Sequence, residues 1–101
     1  METAKVIVDD AIRSNKVMMF AKTFCPYCKK AKAALNEENI DFKVMELDLR
    51  NDGDVIQDVM MNITGGRSVP RLFINGKFIG GCDTVLDLQA NGKLSELVPP
   101  S

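Results

Sequence analysis

Apolar side chains recur at helical spacing near the start of the chain, at Val6, Ile7, Ala11 and Ile12, and predict a short amphipathic opening helix. The rhythm then breaks. Val17-Met18-Met19-Phe20-Ala21 is wholly apolar, the pattern of a short strand buried on both faces. From Pro26 to about Asn39 the composition turns helical: proline suits a first turn, and Ala31, Ala33, Ala34 and Leu35 are good formers or packers. Phe42 to Leu47 alternates like a strand and runs into a polar bend from Asp48 to Asp54. Val55, Ile56, Val59, Met60 and Ile63 mark a third helix, stopped at Gly65-Gly66. Arg71 to Ile74 and Lys77 to Ile79 flank Asn75-Gly76, a strong hairpin signal. Gly80-Gly81 breaks the second of these strands. Thr84 to Ala90 predicts another helix, and Lys93 to Val98 a last helical turn.

The predicted order is α-β-α-β-α-β-β-α. A strand–helix–strand unit makes a parallel pair and the late hairpin an antiparallel one. The expectation is therefore an α/β chain with a small mixed sheet and helices on both faces. No repeat, linker or low-complexity segment divides residues 1–101, which are read as one domain.

Composition narrows the function classes. Hydrophobic residues are 46% and charged residues 27%, ordinary for a globular protein. Thirteen basic and 14 acidic residues give a net charge of −1, which calls for neither nucleic acid nor an anionic membrane. The N-terminus lacks the basic start and apolar run of a signal peptide, and Val17 to Ala21 is far too short to span a bilayer. Three cysteines without a secretion signal argue against a disulfide scaffold and for a reducing compartment, the cytoplasm being expected. With no histidine and three cysteines, one chain cannot close a four-ligand zinc site from the usual soft ligands.

The chemistry concentrates in AKTFCPYCKKAK, residues 21 to 32. Residues i and i+3 share a helix face with Cβ atoms about 5–6 Å apart, and disulfide geometry needs Cα atoms about 4.4–6.8 Å apart. A CxxC opening a helix can thus close and reopen with little backbone movement. Cys25 is expected at the N-cap, facing unsatisfied N–H groups and the positive end of the helix dipole, which favour thiolate over thiol. Cys28 falls within the first turn. Lys29, Lys30 and Lys32 find Ala33, Ala34 and Asn36 four residues on, so no acidic residue of the helix pairs with them, and Glu37 and Glu38 lie at the far end. The helix is charged against its own dipole. Such a bias is reasonable if the positive field, with Lys22 on the preceding turn, serves a thiolate and an anionic substrate; otherwise it is a solvated lysine face.

CPYC together with Ser68-Val69-Pro70 and Gly80-Gly81-Cys82-Asp83 resembles a dithiol glutaredoxin, over about Val6 to Leu97. The resemblance implies the thioredoxin-like fold with a four-stranded mixed sheet, glutathione as co-substrate, and reduction of protein–glutathione mixed disulfides and some protein disulfides by a monomer without a metal. It implies that Cys25 is the nucleophile and Cys28 the resolving thiol. Lys22 and Tyr27 then resemble the residues beside the glutathione glycyl carboxylate, and Gln57 and Arg67 those on the groove wall. Val69 resembles the position whose backbone pairs with the tripeptide, beside Ser68 and a cis Pro70. Gly81, Asp83 and Thr84 resemble the grip on the γ-glutamyl end. Physical sense agrees: glutathione carries two carboxylates and one ammonium, and needs cations at one end and an acid or helix N-terminus at the other. Without the resemblance, Pro70 is an ordinary strand-start proline and Gly80-Gly81 a plain bend. Ser68 stands where threonine is commoner and Thr84 where aspartate is frequent, which points to altered glutathione affinity. Cys82 is expected to be a small packing residue at a helix start, with an oxidation-sensitive thiol as the alternative.

Two other functions compete. An iron–sulfur carrier would share a cluster between two chains, each offering Cys25 and a glutathione; Pro26 speaks against it, since related cluster binders tend to have a smaller residue there. A thioredoxin-like general disulfide reductase is disfavoured by Tyr27 and the lysines.

Overall fold

The computed structural model describes residues 2–98. Its sheet forms around the apolar run, β1 (Val17–Ala21), whose five side chains are all buried. Val17, Met19 and Ala21 point into one core cluster and Met18 and Phe20 into another, so the strand is apolar throughout because both faces are covered. β1 pairs in parallel with β2 (Lys43–Glu46) after the crossover helix α2 (Pro26–Glu37), and antiparallel with β3 (Arg71–Ile74). The hairpin partner β4 (Lys77–Gly80) completes the order β2-β1-β3-β4. Asn75 and Gly76 both have positive φ, 53° and 81°, as the predicted two-residue turn requires. The four-stranded mixed sheet has the expected thioredoxin-like form.

α2 and α4 (Cys82–Ala90) cover one face of the sheet; α1 (Glu2–Ser14) and α3 (Gly53–Thr64) cover the other. The α1/α3 face carries Phe20 edge-on to Phe73, with ring centroids 5.7 Å apart, packed with Val8, Ile56 and Met60.

Several local expectations shift. In α1 the buried residues are Ala4 and Val8, with Ala11 and Ile12 packed alongside, while Val6 is more than half exposed. β2 is four residues long and shows no alternating burial, because it is an edge strand covered unevenly. The bend after it contains a short 3-10 turn at Leu47–Leu49. α3 ends on Gly65 at φ 83°. α4 starts two residues before Thr84, at Cys82 with Gly81 as N-cap. The tail forms a 3-10 turn at Ser95–Leu97.

Candidate active site

β1 delivers the chain to a tight turn that is fixed from outside. The Thr23 N–H donates to Asp48 Oδ1 at 2.9 Å and the Thr23 hydroxyl donates to Asp48 Oδ2. These bonds hold the Asp48 carboxyl below the usual carboxylate range. The Cys25 N–H donates to Lys22 O at 3.2 Å, and the next residue, Pro26, opens α2.

Cys25 is the N-cap of α2, with extended backbone (φ −87°, ψ 114°), and its Sγ accepts the Cys28 N–H at 3.2 Å. A sulfur is doing what a serine or aspartate oxygen does at most helix starts: it satisfies an orphan donor and faces the positive end of the dipole. Cys28, one turn in, is fully buried, whereas Cys25 is 9% exposed. Burial, then the hydrogen bond with Cys25, pushes the Cys28 pKa up to about 12. One turn therefore produces two unlike thiols, both free in this structure.

Opposite Cys25 lies the loop into β3. The Cys25 thiol is 3.8 Å from Val69 O, and the Val69–Pro70 peptide is cis. A cleft of about 510 Å³ opens here, lined by Tyr27, Ser68, Val69, Pro70, Gly81, Cys82, Asp83 and Thr84. That volume suits a small molecule of tripeptide size. Gly80 makes the corner possible: φ is 151°, and a Cβ there would sit 2.6 Å from Thr84 side-chain atoms.

Seven of the ten residues that the resemblance assigns to glutathione thus line this cleft, together with Cys82. Lys22 and Gln57 line a separate cleft of about 200 Å³ with Asp48, Arg50 and Asp54. Gln57 is turned toward the protein, donating from Nε2 to Arg67 O at 2.8 Å. The Arg67 guanidinium lies against α3, 3.0 Å from Asp58 Oδ1 and 3.2 Å from Asp54 O.

The lysines divide their labour. Lys22 sits 6.0 Å over the exposed Phe24 ring and Lys30 5.6 Å over the exposed Tyr27 ring. Lys32 finds an acid after all, outside its own helix: Nζ is 2.7 Å from Glu46 Oε2 on β2. Three features escaped the sequence reading. The Asp48 tie to Thr23 and the Arg71 brace on Ser68 Oγ, at 3.2 Å, depend on contacts between elements that no local pattern announces. Cys82 lines the cleft; it is buried as expected of a packing residue, and burial, with Asp83 beside it, raises its pKa. Its place one residue before Asp83 was the available signal. Among the described residues, no group of three or more His, Cys, Asp or Glu side chains could hold a metal ion.

The family profile of glutaredoxin matches residues 17–79, from the first residue of β1 into β4. The chain belongs to the glutaredoxin family. It is 46% identical over 98 residues to Glutaredoxin-1 of Rhizophagus irregularis, covering 97% of each protein. Oxidised glutaredoxin 2 from Chlamydomonas reinhardtii superposes with a TM-score of 0.91 at 49% identity, over 96% of this chain and 92% of that one. A buckwheat glutaredoxin in complex with glutathione superposes with a TM-score of 0.92 at 37% identity, over 96% and 88% of the two chains. In this glutaredoxin chain the dithiol turn joins the central strand β1 to α2 and sets a slightly exposed thiol beside a fully buried one.

Proposed function

We propose that Cys25 is the attacking thiol of this glutaredoxin domain, Cys28 its resolving thiol, and glutathione the ligand of the cleft beside them. The chain is a glutathione-dependent thiol–disulfide oxidoreductase that works through a dithiol centre. The observation that carries the assignment of roles is the asymmetry within one helical turn: Cys25 Sγ takes a backbone N–H at the helix start, while Cys28 is sealed and held protonated by burial.

The thiolate of Cys25 attacks the glutathione sulfur of a protein–glutathione mixed disulfide. The substrate leaves as a thiol and Cys25 becomes glutathionylated. A second glutathione attacks that bond and departs as oxidised glutathione, or Cys28 attacks instead and closes the Cys25–Cys28 disulfide. Some protein disulfides are reduced by the same pair. Glutathione seats with its backbone along Val69, between Ser68 and Pro70 on one side and Tyr27 on the other. Its γ-glutamyl end lies at Gly81, Asp83 and Thr84, where the Asp83 carboxylate meets the ammonium and the N-terminus of α4 meets the carboxylate. Lys22, Gln57 and Arg67 serve the glycyl end. Gln57 and Arg67 reach it by exchanging the protein partners they hold, so their contribution is smaller than that of Asp83.

We assign the domain as a monomer acting on soluble partners, with neither nucleic acid nor membrane as a ligand, in the glutathione-rich cytoplasm. No helix among the described residues is long and apolar enough to cross a membrane. A glutathione-coupled assay of mixed-disulfide reduction tests the assignment: Cys28→Ser retains turnover and Cys25→Ser loses it. Turnover that survives in Cys25→Ser would overturn it.

A further inference from the structure

Closing the dithiol requires Cys28 to become a nucleophile in a place where water cannot solvate its charge. The charged and titratable surroundings acting on its sulfur are Cys25, the backbone of Lys22 and the Lys32 ammonium. Once Cys25 is joined to glutathione it carries no charge of its own, and the charged side chains left near Cys28 are Lys32 and its partner Glu46, whose carboxylate offsets part of the ammonium's field. Lys32 follows Cys28 by four residues, so both project from one face of α2 with Cβ atoms about 5–6 Å apart. This lysine is not a free surface group: it and Glu46 are 24% and 23% exposed, with Nζ and Oε2 2.7 Å apart. The parallel register sets Glu46 opposite Ala21, which belongs to the same core cluster as Cys28. The other Glu46 oxygen, Oε1, is buried as well.

We propose that Lys32, anchored by Glu46, is a positioning residue for ring closure: it fixes a positive charge beside the Cys28 sulfur as that sulfur becomes a thiolate. The proposal rests on Cys28 being the resolving thiol. In the step, Cys28 loses its proton and its sulfur bonds to Cys25 Sγ. The bond from Cys25 to glutathione breaks, and glutathione departs as a thiolate that regains one proton. One disulfide is exchanged for another, with no net oxidation.

The test starts from protein carrying glutathione on Cys25 and follows glutathione release and disulfide closure by rapid quench and mass spectrometry across pH. Lys32→Met is expected to slow closure by roughly tenfold or more and to move its pH dependence upward. Lys32→Met combined with Glu46→Gln leaves no unpaired charge and is expected to be equally slow, while Lys32→Arg recovers most of the rate. In a Cys28→Ser background, Lys32→Met is expected to leave glutathione-coupled turnover unchanged. Wild-type closure in the Lys32→Met/Glu46→Gln protein overturns the proposal, and so does an equal loss of turnover in the Cys28→Ser background, which would place Lys32 at Cys25. Absence of turnover in Cys28→Ser with Lys32 intact would instead overturn the assignment of the two cysteines.

Discussion

The two faces of the sheet are built for different ends. The α1/α3 face is filled by large apolar side chains, Phe20, Phe73, Met60 and Ile56 among them, with no cysteine. The α2/α4 face also has an apolar core, but Cys25 and Cys28 belong to it, and the reactive cleft opens at its edge. Smaller residues, Ala21, Ala31 and Ala34, belong to that core beside the cysteines. Both sides carry a packed apolar core, and on the α2/α4 side that packing also makes two neighbouring thiols unlike. The same strand serves both, since alternate residues of β1 point to opposite faces.

This contrast predicts separable losses. The largest is Cys25→Ser on the cleft side: turnover falls to the uncatalysed background, while the thermal midpoint stays close to that of the wild type. On the opposite face, Phe20→Ala removes a fully buried ring and its edge-on partner, and costs about 3–5 kcal/mol in denaturant melts. The fraction that remains folded is expected to keep its turnover. A loss of turnover per folded molecule would break the division between the faces.

Asp83→Ala sharpens the reading of the cleft. Removing a hydrogen bond to a charged group is worth about 1.5–3 kcal/mol, so KM for glutathione rises about tenfold or more with little change in kcat. A more gradual effect is on stability against pH. A cysteine ionises near 9.0 in the unfolded chain, but burial moves Cys28 to about 12 in the fold. Above pH 9 the unfolded chain therefore binds fewer protons than the folded one, and the reduced protein loses stability as pH rises from about 9 to 12. Burial of Cys82 acts in the same direction. Cys28→Ser should flatten that slope in melts of the reduced protein; an unchanged slope would mean that Cys28 is less sealed than the packing indicates.

Features carried by neighbouring residues were legible in the sequence. The apolar run of β1, the Asn75-Gly76 turn and the CxxC opening a helix each owe their conformation to residues a few positions apart. The start of α4 was missed by two residues because Gly81 caps it without a side chain. Val6 was misplaced because two adjacent apolar residues cannot by themselves say which one faces the core; Ala4 and Val8, four apart, decide it. The lysines were half-legible. Their excess at the start of α2 was plain, but pairing Lys32 with Glu46 needs the register of β1 on β2, and Arg67 with Asp58 needs the turn that folds the β3 approach back on α3. Longer-range contacts of this kind are set by topology, and no local spacing encodes them.

The central claim is that Cys25 is the atom on which glutathione arrives. The most direct measurement is peptide mapping of the Cys28→Ser protein after brief exposure to a glutathionylated protein substrate. The account predicts a glutathione adduct on Cys25 with Cys82 unmodified; an adduct on Cys82, or turnover with no adduct on Cys25, would contradict it.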